Sequence, residues 1–175
     1  MKYEIIPTPQ TNKTKRLATW LFICGVILFI AGGVKVIPFR FVLQLAALAA
    51  LTASIMLIGR FLLRAYAYRI DDLGEGFEFF VDEITRSTRY TVCRMELSKL
   101  VSVTKWEDCG KDERAKKRYS YCPDAFGDGS YVLEFVDSAY DVTADRIRVR
   151  IAPDEKLLSI LNEAVARNNE TAEEN

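Results

Sequence analysis

Two uncharged apolar runs, Leu17 to Val34 and Phe41 to Gly59, stand six residues apart near the start of the chain, and a polar, alternating pattern follows them. A helix rises about 1.5 Å per residue, so each run is about long enough to cross a bilayer core of roughly 30 Å. The pattern predicts a transmembrane hairpin over 17–59, with helices at 17–34 and 41–59 and the second extending to about residue 66. Lys13, Lys15 and Arg16 before an apolar run ending in Ala31-Gly32-Gly33 also have the form of a cleaved leader. A retained hairpin is favoured, because the second run follows at once across a turn containing Pro38. Trp20, Phe39, Phe41, Tyr66 and Tyr68 suit the interfacial belts of such a hairpin.

From Tyr68 onward the period becomes two. Phe77, Phe79 and Val81 alternate with Glu78, Phe80 and Asp82, and the same rhythm returns around Tyr90 and Val92, Val101 and Val103, Tyr131 to Phe135, and Ile147 to Ile151. Turns or loops are predicted at 71–76, 86–87, 109–118, 123–129 and 137–145. The last element is of another kind. Pro153 and Asp154 suit a helix start, and Leu157, Leu158, Leu161, Ala164 and Val165 form one apolar stripe.

The predicted fold class is therefore an α+β membrane protein. Its transmembrane hairpin precedes a barrel or sandwich of about seven antiparallel strands, capped by a C-terminal helix. Residues 1–16 form an N-terminal tail, 68–168 one small domain, and 169–175 a frayed end.

Flanking charge orients the hairpin. Lys2, Lys13, Lys15 and Arg16 precede it and Arg60, Arg64 and Arg69 follow it, against Lys35 and Arg40 between the spans. Both termini are expected in the cytoplasm and the protein in the cell membrane, with two spans. Within the spans the polar residues are Thr19, Gln44, Thr52 and Ser54, which does not suit a pore. Small residues at Gly25, Gly32, Ala46, Ala49, Ala50 and Ala53 suit close helix packing, either within the hairpin or between copies.

The net charge of zero over 175 residues conceals an acidic C-terminal part: from Asp71 to the end there are 15 Lys and Arg against 23 Asp and Glu, a net of −8. That balance excludes general nucleic-acid binding. Two basic groups stand out against it, Lys116, Lys117 and Arg118 in a charged loop, and Arg146, Arg148 and Arg150 on one strand face. With Arg60 and Arg64 at the membrane exit they are candidates for contact with a partner or the membrane surface. Cross-strand ion pairing, for example with Glu134, is the simpler reading of the strand arginines.

Catalysis is not expected. The chain has no histidine, no phosphate-binding Gly-x4-Gly-Lys-Ser/Thr loop and no Cys-x-x-Cys pair, so neither a Ser-His-Asp triad nor a familiar metal or cofactor site is present. The acidic pairs Asp71-Asp72, Glu107-Asp108, Asp112-Glu113 and Asp154-Glu155 lie where turns, loops and a helix start are predicted. Cys109 and Cys122 flank the charged loop and are a candidate redox pair if they meet, whereas Cys24 and Cys93 suit small apolar positions.

The segment Arg94-Met95-Glu96-Leu97-Ser98-Lys99-Leu100-Val101-Ser102-Val103 resembles the "polar-Leu-Ser-basic-Ile-x-x-Val" strand of bacterial pleckstrin-homology-like domains that follow a membrane hairpin. The ending Ile151-Ala152-Pro153-Asp154-Glu155-Lys156-Leu157-Leu158 is similar to their final strand and helix. The resemblance implies a seven-strand barrel with a C-terminal helix and carries no catalytic residue. Phosphoinositide recognition is discounted, since the loop Asp71-Asp72-Leu73-Gly74-Glu75-Gly76 would repel phosphate. The expected function is a membrane-anchored, non-catalytic interaction module that binds a protein partner or itself. The alternative is an accessory subunit of a membrane transport or envelope-stress complex, held mainly through its hairpin.

Overall fold

The computed structural model describes residues 3–8, 12–34, 39–72, 74, 76–110, 115–127, 129–136 and 146–173. It divides into two compact units. One comprises 1–8, 65–123 and 127–175; the other comprises 9–64 with 124–126.

The second unit is built on two helices, α1 (Lys13–Gly33) and α2 (Arg40–Leu57), the latter continued by one π-helical turn over Ile58–Leu62. Both are long and apolar enough to cross a membrane. The helical stretch ends at Leu62 instead of near 66, because a strand begins at Ala65. Small side chains spaced seven apart fill the seam between the helices: Ala18, Gly25 and Gly32 on α1, Ala47 and Ser54 on α2, all buried. A seven-residue repeat keeps one stripe facing its partner along two inclined helices. A Cβ added at Gly25 would lie 2.8 Å from Leu51 Cγ, and one at Gly32 would lie 2.8 Å from Gln44 Cγ and 3.2 Å from the Arg40 carbonyl oxygen.

Four polar side chains of these helices donate to helix carbonyls. Ser54 Oγ donates to Ala18 O at 2.8 Å across the seam and Gln44 Nε2 to Gly32 O at 3.3 Å. Thr19 and Thr52 bond back to Lys15 O and Leu48 O, four residues earlier. Trp20, Phe29, Ile30, Phe41, Leu48, Ile55 and Met56 stay exposed.

The first unit is α+β and, among the described residues, contains eight strands in two sheets. They are β1 (Tyr3–Ile5), β2 (Ala65–Asp72), β3 (Phe77–Thr85), β4 (Thr88–Glu96), β5 (Leu100–Lys105), β6 (Ala115–Ser120), β7 (Tyr131–Val136) and β8 (Arg146–Ile151). One sheet has the order β1-β2-β3-β4, the other β5-β7-β8-β6. Both are open, so the predicted barrel does not close. All pairs are antiparallel except β6 with β8, which is parallel because β6 reaches the far edge of β8 instead of pairing with β7, the next strand in the chain. The inner faces share one core: Tyr68, Ile70, Phe79 and Val81 from the first sheet, Leu100, Leu133, Phe135, Val149 and Ile151 from the second, and Leu157 and Leu161 from helix α3 (Glu155–Glu173).

Asp154 caps α3, its Oδ1 accepting the Leu157 N–H at 2.9 Å, which matches the helix start read from Pro153-Asp154. The helix continues through 169–173, beyond the point where fraying was expected. Asn168 holds that end, Nδ2 donating to both Leu97 O and Leu100 O at 2.8 Å.

Three further expectations are corrected. Tyr3–Ile5 lies in the stretch expected to be a tail, yet it pairs with β2 in the register Tyr3↔Ile70, Glu4↔Arg69 and Ile5↔Tyr68. Residues 115–118, expected in a loop, open β6. Tyr66 and Tyr68 are core residues of β2, not interfacial anchors, and Tyr68 is fully buried.

Candidate functional site

The outer face of the β1–β4 sheet carries a ladder of paired charges. Arg89 Nε and Nη2 donate to Asp82 Oδ2 at 2.9 and 2.7 Å, Arg89 Nη1 donates to Glu4 Oε1 at 2.6 Å, and Thr91 Oγ1 donates to Asp82 Oδ1 at 2.6 Å. Arg69 bonds Asp71, and Arg94 bonds Glu78 through two nitrogens. The Arg69 and Arg94 guanidiniums stand 4.5 and 5.7 Å from the Phe80 ring centroid and cover a phenyl that would otherwise face water. Alternation alone hid this ladder. The legible signal was Asp82-Glu83 inside an apolar strand, with arginines on both neighbouring strands.

Burial by itself raises the Asp82 carboxyl. Hydrogen bonds from Thr91 and Arg89, with the charges of Arg89 and Arg69, outweigh that and hold it below its usual 3.8. A carboxyl lowered in the folded state contributes stability above its ordinary pKa and loses it as pH falls through the folded value. Unfolding free energy is therefore expected to drop below about pH 4. Asp82→Asn should cost about 2 kcal/mol at neutral pH and flatten that acid limb, as read by denaturant titrations across pH.

The basic candidates separate into two groups. On β8, Arg148 Nε donates to Glu134 Oε1 at 2.6 Å and Nη1 to Gly110 O at 2.9 Å, while Arg146 Nη1 reaches Glu134 Oε2 at 3.4 Å. Arg150 Nε donates to Ser130 Oγ at 2.8 Å, and its guanidinium lies 4.0 Å from the Trp106 ring centroid. This arginine row is thus engaged within its own unit. Lys117 and Arg118 are exposed on the edge strand β6, and the Lys116 side chain lies outside the described residues. In the helical unit, Arg60 is exposed with its guanidinium 5.4 Å from the Phe61 ring centroid, and Arg64 is exposed.

Of the small residues singled out for packing, Gly25 and Gly32 lie in the seam, Ala50 and Ala53 are half-buried, and Ala46 and Ala49 are exposed. The seam residues missed are Ala18, Ala47 and Ser54, which recur every seven positions instead of every four.

The acidic pairs are not gathered into one site. Asp71 bonds Arg69, Asp72 Oδ1 accepts the Gly74 N–H at 2.9 Å, Asp154 caps α3, and Glu107-Asp108 form an exposed 3-10 turn; Asp112-Glu113 lie outside the described residues. Among the described residues no group of three metal-ligating side chains occurs and no disulfide joins Cys109 to Cys122. Burial pushes the Cys93 thiol up to about 11, which keeps it protonated at neutral pH.

One concavity differs from the charged ones. It is lined by Tyr3, Ile70, Phe77, Leu97, Ile160 and Ala164, with Ser98, Glu163 and Arg167 at its polar margin, and holds about 330 Å³. The Tyr3 hydroxyl is turned to Asp154, and burial together with that carboxylate raises its pKa to about 12. No protein-family model, curated protein or solved structure matches the chain.

Proposed function

We propose that the protein is a membrane-anchored, non-catalytic interaction module. Its hairpin spans the cell membrane, and a pleckstrin-homology-like domain on the cytoplasmic side binds a protein partner or a second copy. The observation that carries the reading is the pairing of β1 with β2. The hairpin is inserted between two strands of one sheet, so the chain must leave and re-enter the domain on the same side, as an even number of spans requires. Basic residues at both hairpin ends favour the cytoplasm for that side. The two sheets with a C-terminal helix are compatible with the pleckstrin-homology-like resemblance, although a fold of this kind fixes no ligand. Spending arginines and carboxylates on one another, as Asp82, Arg89 and Glu134 do, suits a binding scaffold better than an acid–base site.

The exposed Ala46 and Ala49, outside the seam, favour a second reading in which the hairpin packs against other spans of a complex. Exchange of residues 13–62 for an unrelated two-span hairpin separates the two, with in-membrane crosslinking as the readout. The module predicts that the crosslinked partner is retained; its loss assigns the contact to the spans.

A further inference from the structure

The groove of about 330 Å³ sits between the first sheet and the C-terminal half of α3, at the small end of the roughly 300–1,000 Å³ typical of small-molecule sites. Its floor and walls are aliphatic and aromatic: Ile70 and Leu97 are buried, while Phe77, Ile160 and Ala164 keep part of their surface open to the groove. Neighbouring hollows have a different chemistry. One is lined by Glu4, Arg69, Asp82 and Arg89, another by Glu78, Arg94, Glu96 and Lys99, and both have ion pairs in their walls.

The margin of the apolar groove carries one charge of each sign, and the two are engaged differently. Glu163 accepts the Ser159 hydroxyl at 3.3 Å, whereas the Arg167 guanidinium has no ion-pair partner among the described residues. The side-chain nitrogen of Asn168, beside it, spends both of its N–H groups on the Leu97 and Leu100 carbonyls. An unpaired guanidinium at the mouth of an apolar groove fits a ligand with one aliphatic chain and one anionic head.

We propose that this groove is a binding site for a single-chain anionic amphiphile of the fatty-acid class, with the chain lying along Ile70, Phe77, Ile160 and Ala164 and the carboxylate at Arg167. Each methylene taken from water is worth about 0.8 kcal/mol, or roughly fourfold in affinity, so chain length dominates binding until the groove is full. The carboxylate contact is solvent-exposed and contributes less, about fivefold. The proposal goes beyond the anchoring reading and does not need a protein partner: it is read on this chain alone, so either can fail without the other.

The test uses the full chain in nanodiscs, with empty nanodiscs as the baseline and a photoactivatable dodecanoate as the probe. Saturable labelling is expected in the peptides holding Leu97–Lys99 and Ile160–Asn168, competed by dodecanoate and about fourfold less well for each methylene removed. Ala164→Trp should fill the groove and cut labelling at least tenfold at an unchanged melting temperature. If that variant does not fold, Ser98→Trp on the facing wall is read in its place. Arg167→Glu should weaken dodecanoate about fivefold and leave dodecanol unchanged. Labelling confined to residues 13–62, labelling that never saturates, or equal labelling of a folded groove-filling variant would overturn the site. Equal loss of dodecanoate and dodecanol in Arg167→Glu would overturn the assignment of the anionic head.

Discussion

Tyr68→Ala is expected to cost the strand-built unit about 4 kcal/mol, the scale of removing a large aromatic side chain from a core. Its ring is fully buried, 6.3 Å from the Phe79 ring centroid. Its hydroxyl also joins segments distant in sequence, donating to Tyr121 O at 2.7 Å and accepting from Ala152 N at 3.1 Å. These are the residues just beyond β6 and β8, so one phenol ties together the ends of the parallel pair. Burial raises its pKa well above the usual 10, which leaves the hydroxyl able to donate at any physiological pH. Tyr68→Phe keeps the ring but orphans both backbone groups, for about 2 kcal/mol. Denaturant unfolding followed by Trp106 fluorescence, in a Trp20→Phe background, reads both. Equal stability of the phenylalanine variant and the wild type would show that the two hydrogen bonds contribute nothing net.

Gly25→Leu is expected to cost the helical unit about 3 kcal/mol, because the new side chain enters at a point where even a Cβ would sit 2.8 Å from Leu51 Cγ and 3.3 Å from Leu51 N. Two helices that meet through Ala18, Gly25, Gly32, Ala47 and Ser54 have backbones close enough for the Ser54 hydroxyl to reach a carbonyl on the neighbour. Leucine at the seam forces them apart and removes that bond along with the van der Waals contact that drives association in lipid. Leucine at Gly33, where an added Cβ would meet nothing within 4 Å, is the matched control. Titration with dodecyl sulfate from lipid bicelles should shift to a lower midpoint for Gly25→Leu and remain within error for Gly33→Leu.

Long, uniform patterns were legible in the sequence and short or compensated ones were not. Both apolar helices, the strands at 77–85, 88–96, 100–105, 131–136 and 146–151, and the Leu157–Leu161 stripe of α3 follow directly from period and capping. β1 was not readable because three residues carry too little alternation, and their pairing partners lie 63 to 67 residues away on the far side of the hairpin. β6 was masked by Lys116, Lys117 and Arg118, which mark a solvated edge as readily as a loop. The seam of the helical unit was misplaced because alanine is abundant on α2, and spacing by four and by seven both find it there; contact geometry selects Ala47 and Ser54. The strand arginines were anticipated with their partner, Glu134, but Asp82 was not, since a buried carboxylate is readable only with its arginines in place. The groove at Ile160 and Ala164 depends on the distance between α3 and the sheet edge, which no residue pattern encodes.

In the proposed topology a two-span hairpin lies between β1 and β2 in the chain, with both of its ends on the cytoplasmic side. Single cysteines at Asn12, Phe39 and Ser87, each in a cysteine-free chain, can be treated with an impermeant maleimide in intact cells and in inverted vesicles. Labelling of Phe39→Cys from outside only, and of Asn12→Cys and Ser87→Cys from inside only, is the result predicted. Asn12→Cys and Ser87→Cys labelling from opposite sides, or Phe39→Cys labelling from the same side as both, would contradict it.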